Sequence, residues 1–264
     1  MNTGLFKVEG AGNDFLLGTG AWADRLAEDA GLVTRLCRRR RGVGADGTLA
    51  LFPADGASLR LVHRNADGSP SDFCANGTRC AARLAVDRLG LPPRVTVHTG
   101  WGAIPARVAG DLVTLELPAA GPAEAVVPET ALGRFAGHLI SVGVPHFVVP
   151  VKELAGVDLD SIARPLRHHP DLGPGGANVH LVEDHGDGRL GLRSLERGVD
   201  CEVLCCGSGV VAAALASMVR SGRRRLTVLP RSGDRLEVEA LDAPPATPTR
   251  LTGPARIIAE IEPV

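Results

Sequence analysis

Two cysteines stand where their thiols could do acid–base chemistry. Cys74 opens the sequence C-A-N-G-T at 74–78, and Cys206 opens the sequence C-G-S-G-V at 206–210. Each leads through a glycine-containing turn into an alanine-rich, mostly apolar stretch typical of a helix. Because the first N–H groups of a helix and its dipole favour negative charge, a thiol at this place is easier to ionise. The pattern predicts two thiols that remove and return protons.

A matched pair of thiols suits one kind of reaction in particular. Inverting a stereocentre without a cofactor requires a base on one face of the carbon and an acid on the other. The small residues at 75–76 and 207–208 would let backbone amides approach a carboxylate and stabilise the charge that develops during α-proton removal. The residues therefore favour cofactor-independent inversion at an α-carbon.

Two other interpretations of the cysteines stay open. Most free cysteines in proteins are small buried hydrophobes. A zinc site is less well supported, because Cys201, Cys205 and Cys206 lack the CxxC spacing and have no matching second pair. We predict no metal, and we interpret Cys37, Cys80, Cys201 and Cys205 as structural.

Short strands are the main elements that would position these thiols. Runs such as LRLVHR, RVTVHTG, LVTLELP, HFVVPV and NVHLVE lie between Gly, Pro and Asp turns, which is typical of antiparallel sheets or barrels. Helices are predicted at 77–89 and 207–220. A third helix is predicted within 22–41, and we interpret its basic end at 38–41 as solvated rather than as an anion site.

The two cysteine-containing stretches are half the chain apart. The separation is 206 − 74 = 132 residues in a chain of 264. Repetition at this period predicts two similar domains, each wrapping short strands around one buried helix. We place the N-terminal domain at 1–118 plus about 253–264, with Cys74, and the C-terminal domain at 119–252, with Cys206. The last segment then returns to the first domain as a strand.

Composition narrows the choice of partners. The chain has 29 basic and 30 acidic residues, a net charge of −1 and a hydrophobic content of 44%. This balance gives no electrostatic reason to expect nucleic acid or a membrane surface, and no apolar run approaches the ~20 residues of a membrane-spanning helix. A small molecule becomes the expected partner. The N-terminus does not have the pattern of a signal peptide, so we expect a cytoplasmic protein with free thiols.

Several separated blocks together resemble one family. They are GAGNDF at 10–15, RGVGADG at 41–47, RNADGSPSDFCANGTRC at 64–80, GVPH at 143–146, ANV at 177–179, ERGVDCEVLCCGSG at 196–209 and LTGPA near the end. In this order they are similar to the diaminopimelate epimerase family. The resemblance implies an α+β fold of two pseudo-symmetric domains, each a β-barrel-like sheet around a central helix, with the substrate closed between the domains.

The resemblance also implies an activity and a set of site residues. The activity is interconversion of LL- and meso-2,6-diaminopimelate by two-base proton transfer, in lysine and cell-wall precursor biosynthesis and without a cofactor. The implied catalytic thiols are Cys74 and Cys206, and the implied groups that assist them are His146 and Glu196. The implied substrate-binding residues are Asn13, Asn65, Ala75, Asn76, Asn178, Glu196, Arg197, Gly207 and Ser208.

The sequence departs from the family pattern in three places. Ala75 stands where the family usually has glycine, and Val144 stands where it often has asparagine before Pro-His. Specificity is therefore less firmly implied than the type of reaction. The family tyrosine associated with dimer formation is missing, because the chain contains no tyrosine. A homodimer stays an open possibility.

Three other functions are also compatible with the sequence. The chain could be a racemase or epimerase of another amino acid on the same fold, an isomerase of that fold that does not use the thiols, or a binding protein that has lost turnover. Each implied residue also has a structural alternative. Asn13 and Asn65 could be turn residues, His146 could end a strand, and Glu196 and Arg197 could form a surface pair.

Overall fold

The computed structural model describes residues 3–197 and 201–262 of a mixed α+β chain. None of the helices it describes is long and apolar enough to cross a membrane. A short 3-10 helix covers Pro170–Leu172. The α-helices are α1 Ala21–Glu28, α2 Ala30–Cys37, α3 Ala75–Leu89, α4 Leu159–Arg167 and α5 Gly207–Ser221.

Strands make up most of the remaining structure. The first eight are β1 Gly4–Gly10, β2 Asn13–Thr19, β3 Gly47–Pro53, β4 Ser58–Asn65, β5 Pro70–Ser71, β6 Arg94–Thr99, β7 Gly102–Ala109 and β8 Leu112–Leu117. The others are β9 Glu124–Val126, β10 Glu129–Thr130, β11 Gly133–Arg134, β12 Gly137–Val142, β13 Val144–Val151, β14 Asn178–Asp184, β15 Arg189–Leu195, β16 Glu202–Val203, β17 Arg225–Leu229, β18 Leu236–Ala240, β19 Thr249–Pro254 and β20 Arg256–Ile261.

The chain divides into two compact units. The first comprises Met1–Glu116 and Gly253–Val264, and the second comprises Leu117–Thr252. The boundary expected from the half-chain repeat, between 118 and 119, is close to this division. Strand β20 pairs antiparallel with β1, so the last segment belongs to the sheet of the first unit.

The first unit wraps its strands around α3. Its sheet runs from β20 through β1, β2, β3, β4, β6 and β7 to β8, with parallel pairing between β2 and β3 and between β4 and β6. Helix α3 contacts most of these strands, and its residues 75–85 are all buried. Because no face of this part of the helix meets solvent, its reactive groups reach the surroundings from its N-terminal end.

The second unit repeats this plan around α5. Its sheet runs β9, β12, β13, β14, β15, β17, β18 and β19, with parallel pairing between β13 and β14 and between β15 and β17. Helix α5 packs against β12, β13, β14, β15, β17 and β18. Its residues 209–218 are buried, which explains why V-V-A-A-A-L-A carries no charge. The fold class predicted from the sequence is confirmed.

Both central helices end in the same way. Gly90 follows α3 with φ 70°, and Gly222 follows α5 with φ 68°. Glycine tolerates this left-handed backbone, so each helix stops where the chain must turn back to a strand. The predicted helices at 77–89 and 207–220 are confirmed, and each begins close to its cysteine.

The single helix predicted within 22–41 is wrong. The structure has two helices there, because Asp29 adopts an extended conformation between them. The Asp29 side chain accepts a hydrogen bond of 2.8 Å from the backbone N–H of Leu32, which caps α2. An aspartate that satisfies a free N–H at a helix start competes with continuation of the preceding helix.

We expect Asp29→Ala to lower the free energy of unfolding by about 1 kcal/mol, because α2 loses its N-terminal hydrogen bond. Urea denaturation followed by circular dichroism measures the change. Asp55→Ala, in an exposed loop, is the matched control. An unchanged urea midpoint for Asp29→Ala would show that the cap contributes nothing measurable.

Candidate active site

Cys74 is the N-cap residue of α3. Its backbone is extended, with φ −142° and ψ 112°, so the side chain turns back over the first helical turn. There Sγ accepts a hydrogen bond of 3.4 Å from the N–H of Gly77. The thiol is half-buried. A negative charge on this sulfur would be stabilised by that N–H and by the helix dipole.

Asn13 and Asn76 lie beside Cys74. Asn13 Oδ1 accepts a hydrogen bond of 3.2 Å from Asn76 Nδ2 and lies 3.7 Å from Cys74 Sγ. The Asn76 amide is oriented in turn by the buried Arg79, whose Nη2 donates to Asn76 Oδ1 at 2.9 Å. Three residues that the sequence analysis named, Asn13, Cys74 and Asn76, are therefore brought together in the first unit.

The β1–β2 hairpin determines where Asn13 stands. Ala11 and Gly12 form its two-residue turn, with φ 55° and 83°, and Gly10 pairs with Asn13 across it. Two positive φ values are those of a type I′ turn, whose twist matches that of the flanking strands. The first residue after the turn is therefore held at the strand end, within reach of the start of α3.

Asp46 and Arg39 complete this group, and the sequence analysis missed both. Asn13 Nδ2 donates to Asp46 Oδ2 at 2.7 Å, and Arg39 donates to both Asp46 and Asp14. Burial raises the pKa of Asp14, but hydrogen bonds from Arg39 and Lys7 outweigh it and lower that pKa to about 2. The basic end at 38–41 is exposed, as expected from the sequence, and Arg39 in addition forms ion pairs that hold Asp46 and through it the Asn13 amide.

Two other predicted residues of the first unit differ in their surroundings. Ala75 is buried as the first residue of α3, so its backbone is helical and its methyl group causes no strain there. Asn65 lies exposed at the end of β4, and its side chain donates to Ser69 Oγ at 3.0 Å. The contacts of Asn65 are those of a turn residue, and they do not include the Cys74 group.

Cys206 is the N-cap residue of α5 and is buried, at 4% exposure. Ser208 Oγ lies 3.7 Å from its Sγ. Burial first, and then the charge and hydrogen bond of Glu196, raise the pKa of Cys206 well above its ordinary value. The lowered pKa that we expected for this thiol is therefore wrong, because desolvation and a carboxylate outweigh the helix N-terminus. The resting form is the neutral thiol, hydrogen-bonded to Glu196.

His146 and Asn178 lie opposite each other on β13 and β14. The parallel register pairs these two residues directly, and Asn178 Nδ2 is 3.4 Å from His146 Nδ1. Asn178 Oδ1 accepts a hydrogen bond of 2.7 Å from the backbone N–H of Arg197. His146 is completely buried, and burial, followed by the influence of His180, lowers its pKa well below the ordinary value. The side chain of Arg197 is exposed.

His180, to which the sequence analysis gave no role, is part of the same group. Its Nε2 is 2.9 Å from His146 Nδ1, and its Nδ1 is 2.8 Å from Ser194 Oγ. Burial lowers the pKa of His180 to about 3. The run N-V-H at 178–180 held the available signal, since alternate residues of a strand share one face.

His146, His180 and Cys206 offer two imidazoles and a thiol whose potential ligand atoms lie within 4.8 Å of one another. These are zinc ligands in type. Two nitrogens bound to one tetrahedral zinc ion lie about 3.3 Å apart, given Zn–N distances of about 2.0–2.1 Å. The 2.9 Å between the two imidazole nitrogens is instead a hydrogen-bond distance. We interpret the pair as hydrogen-bonded, and the absence of a metal stays a prediction.

Each unit thus presents a thiol at the start of its central helix with polar groups around it. The fold is shared with a class of solved racemases and related proteins. A probable proline racemase from Agrobacterium radiobacter K84 superposes with a TM-score of 0.75 at 17% identity, covering 100% of this chain and 93% of that one. A Bacillus anthracis phenazine biosynthesis protein of the PhzF family gives 0.74 at 17% identity, covering 100% of both chains.

Sequence comparison identifies the family. The model of the family described as diaminopimelate epimerase matches residues 5–122 and 138–258. A diaminopimelate epimerase from Aquifex aeolicus (strain VF5) is 33% identical over 252 residues, which are 89% of each chain. The chain belongs to the diaminopimelate epimerase family, a family of isomerases.

The raised pKa of Cys206 has a direct chemical test. Because only the thiolate reacts quickly with iodoacetamide, we expect Cys206 to be alkylated at pH 8 more slowly than the exposed Cys201. Glu196→Gln removes the charge that helps to raise the pKa, so alkylation of Cys206 should become several-fold faster. Mass spectrometry of peptides at timed intervals gives the rate at each cysteine.

Glu153→Gln, an exposed glutamate substitution in the same unit, is the matched control and should leave the rate at Cys206 unchanged. Equal rates at Cys206 in the native protein and in Glu196→Gln would show that the carboxylate does not influence this thiol.

Proposed function

We propose that the protein is a diaminopimelate epimerase, which interconverts LL- and meso-2,6-diaminopimelate without a cofactor. The observation that carries the proposal is the pair of thiols, Cys74 and Cys206, each the N-cap residue of a helix of 15 residues in its own unit. The relatives named diaminopimelate epimerase match most of the chain, which supports this substrate over other amino acids.

In the proposed mechanism the two thiols serve opposite faces of one α-carbon. One removes the α-proton as thiolate while the other supplies a proton as neutral thiol, and the roles exchange in the reverse direction. Burial and Glu196 keep Cys206 protonated, so it is ready to donate. When Cys206 acts as the base instead, Glu196 is the group that takes its proton. At Cys74, the N–H of Gly77 favours the thiolate.

The starts of the two helices would also stabilise the carbanion. Removal of an α-proton places negative charge on the adjacent carboxylate, and N–H groups at a helix N-terminus are donors for such charge. We assign this role to the backbone at 75–76 and 207–208, whose small side chains let a carboxylate approach. Ala75 keeps this access, because its backbone is helical and its methyl group is already buried.

The other end of the substrate needs polar partners of its own. Diaminopimelate has a second ammonium and a second carboxylate, and we assign recognition of the charged groups at the two ends together to the side chains of Asn13, Asn65, Asn178, Glu196 and Arg197. The exposed Arg197 guanidinium suits a carboxylate, since its planar donors can bind both oxygens. Unmatched polar groups would disfavour simple amino acids that lack the second charged end.

The proposal also covers the pathway, the cellular location and the partners of the enzyme. We infer that the enzyme serves lysine and cell-wall precursor biosynthesis in the cytoplasm, and that its small-molecule site requires neither nucleic acid nor a membrane. Whether two copies associate is settled by light scattering of the purified protein at several concentrations.

Exchange of the α-proton tests the mechanism directly. In heavy water with LL-diaminopimelate, we expect the meso product to carry deuterium at the inverted carbon while recovered substrate stays unlabelled at early times. This follows because the incoming proton comes from a second group equilibrated with solvent. Proton and deuterium NMR follow both species. Cys74→Ala and Cys206→Ala should each abolish inversion, and Cys201→Ala should not.

The other outcomes identify the alternatives. Inversion of a different amino acid from a panel, with diaminopimelate inert, would keep the two-thiol reaction and overturn the substrate; Val144, which stands where the family often has asparagine, is the residue that makes this panel necessary. No exchange with any substrate would favour a binding protein. Turnover that survives both cysteine substitutions would reject the thiols as the catalytic groups.

Arg197→Met tests recognition of the far carboxylate. Loss of a charge-assisted hydrogen bond worth about 1.5–3 kcal/mol should raise KM for diaminopimelate about tenfold to a hundredfold, with a smaller effect on kcat. Arg164→Met, on the exposed face of α4, is the matched control. If KM is unchanged for Arg197→Met, the guanidinium does not bind the substrate carboxylate.

A further inference from the structure

Four polar side chains form a continuous buried chain on one face of the second sheet. His146 pairs with Asn178 across β13 and β14, and His180 pairs with Ser194 across β14 and β15. Since residues 178 and 180 are alternate residues of one strand, their side chains share a face. All four are at most 5% exposed, so the partners of their polar atoms come mainly from the protein rather than from solvent.

The direction of the hydrogen bonds follows from one backbone donor. The N–H of Arg197 can only donate, and it lies 2.7 Å from Asn178 Oδ1, so the amide is oriented with Nδ2 toward His146. Nδ2 can only donate as well. An Nδ1 of His146 that carries no proton is the arrangement in which this N–H, 3.4 Å away, does not face a second N–H.

The same direction continues through His180. Because His146 Nδ1 is an acceptor, His180 Nε2, at 2.9 Å, must donate to it. A neutral imidazole has one donor and one acceptor nitrogen. His180 Nδ1 is then the acceptor, and the hydroxyl of Ser194 donates a hydrogen bond to it at 2.8 Å. Burial favours neutral rings for both histidines, as this pattern needs.

The pattern leaves one donor without a partner. If Nδ1 of His146 carries no proton, the proton of the neutral ring is on Nε2. Nε2 is buried and makes no hydrogen bond of normal geometry among the described residues, although the backbone of Val142 lies near enough to favour the charged ring. A buried N–H without a partner costs about 1–3 kcal/mol, which a fold keeps most readily where a ligand supplies the acceptor.

The ring of His180 packs tightly against helix α5. A Cβ at Gly209 would stand 2.2 Å from His180 Cε1 and 2.7 Å from Nε2. Helix α5 therefore approaches the ring so closely that only glycine is accommodated. The ring lies between the helix and its own strand, which limits rotation about its side-chain bonds and keeps Nε2 directed at His146.

We propose that His180 and Ser194 are positioning residues that hold His146 as the tautomer with its proton on Nε2, so that this N–H is presented to the substrate. The proposal rests on the proposed function only where it names a substrate as the acceptor for this N–H. The tautomer itself is a property of the protein alone. Neither residue belongs to the set implied by the family resemblance.

The first measurement needs no variant and no substrate. In protein labelled with ¹⁵N, long-range ¹H–¹⁵N correlations distinguish the protonated from the bare nitrogen of each imidazole. We expect His146 and His180 both to be protonated at Nε2 and bare at Nδ1 at pH 7.5. Protonation of His146 at Nδ1, or of both its nitrogens, would overturn the proposal even if the enzyme acts on diaminopimelate.

Variants then test whether His180 causes this state. His180→Phe keeps a planar ring but removes the donor, and His180→Gln offers an amide N–H near the position of Nε2. We expect His180→Phe to give a mixture of His146 tautomers and to lower kcat at least about tenfold, with KM within about twofold. His180→Gln should restore the single His146 tautomer and the native kcat. His98→Phe, on an exposed site, is the control.

Ser194→Ala separates positioning from folding. It removes only one hydroxyl and leaves the ring of His180 in place, so the melting temperature should change little while the His146 tautomer becomes mixed. A single Nε2-protonated tautomer of His146 in both His180→Phe and Ser194→Ala would overturn the proposal. An inactive native enzyme with the expected tautomer would instead reject the proposed function and leave the positioning role intact.

Discussion

The structure depends on the burial of most of two helices inside two sheets. A helix that contacts strands on all sides has no solvated face for polar groups, so α3 is buried over 75–85 and α5 over 209–218. Small residues are needed along such helices, since strands must approach them closely. The start of each helix is where unsatisfied N–H groups meet a reactive side chain. The position of both thiols, and the supply of donors for a carboxylate, follow from this one constraint.

The surroundings of the two thiols differ although their backbones match. Cys74 lies beside amides, which are neutral, and its contacts run outward through Asn13 to the ion pairs of Asp46 and Arg39. Cys206 lies against the carboxylate of Glu196. The carboxylate and burial keep the second sulfur protonated. Similar folding of two half-chains therefore places the two thiols in different polar surroundings.

Much of the architecture could be predicted from the sequence, and the limits have physical reasons. The central helices were predictable because their apolar, alanine-rich sequences are long and are bounded by glycine. The break at Asp29 was not, because aspartate is compatible with both a helix interior and a cap, and only tertiary packing decides. Among site residues, Cys74, Asn76, Asn13, His146 and Asn178 were recognised by motif. Ser194 and His180 were missed because their contacts depend on which strands pair and in which register. Asp46 and Arg39 were missed because their contacts join a loop to residues distant in the sequence. Asn65 has turn contacts in the described structure, and its role in binding stays a prediction.

The contact between Gly209 and His180 also limits which substitutions can stabilise this fold. Glycine inside a helix is ordinarily a target for stabilisation, since replacement by alanine gains roughly 0.5–1 kcal/mol. Here the added carbon would stand 2.2 Å from the histidine ring, so the helix would have to shift or the ring would have to leave. The side chain that fits at position 209 therefore depends on the side chain at position 180. A chain with a smaller residue at 180 is open to alanine at 209, whereas this chain must change both positions together or neither.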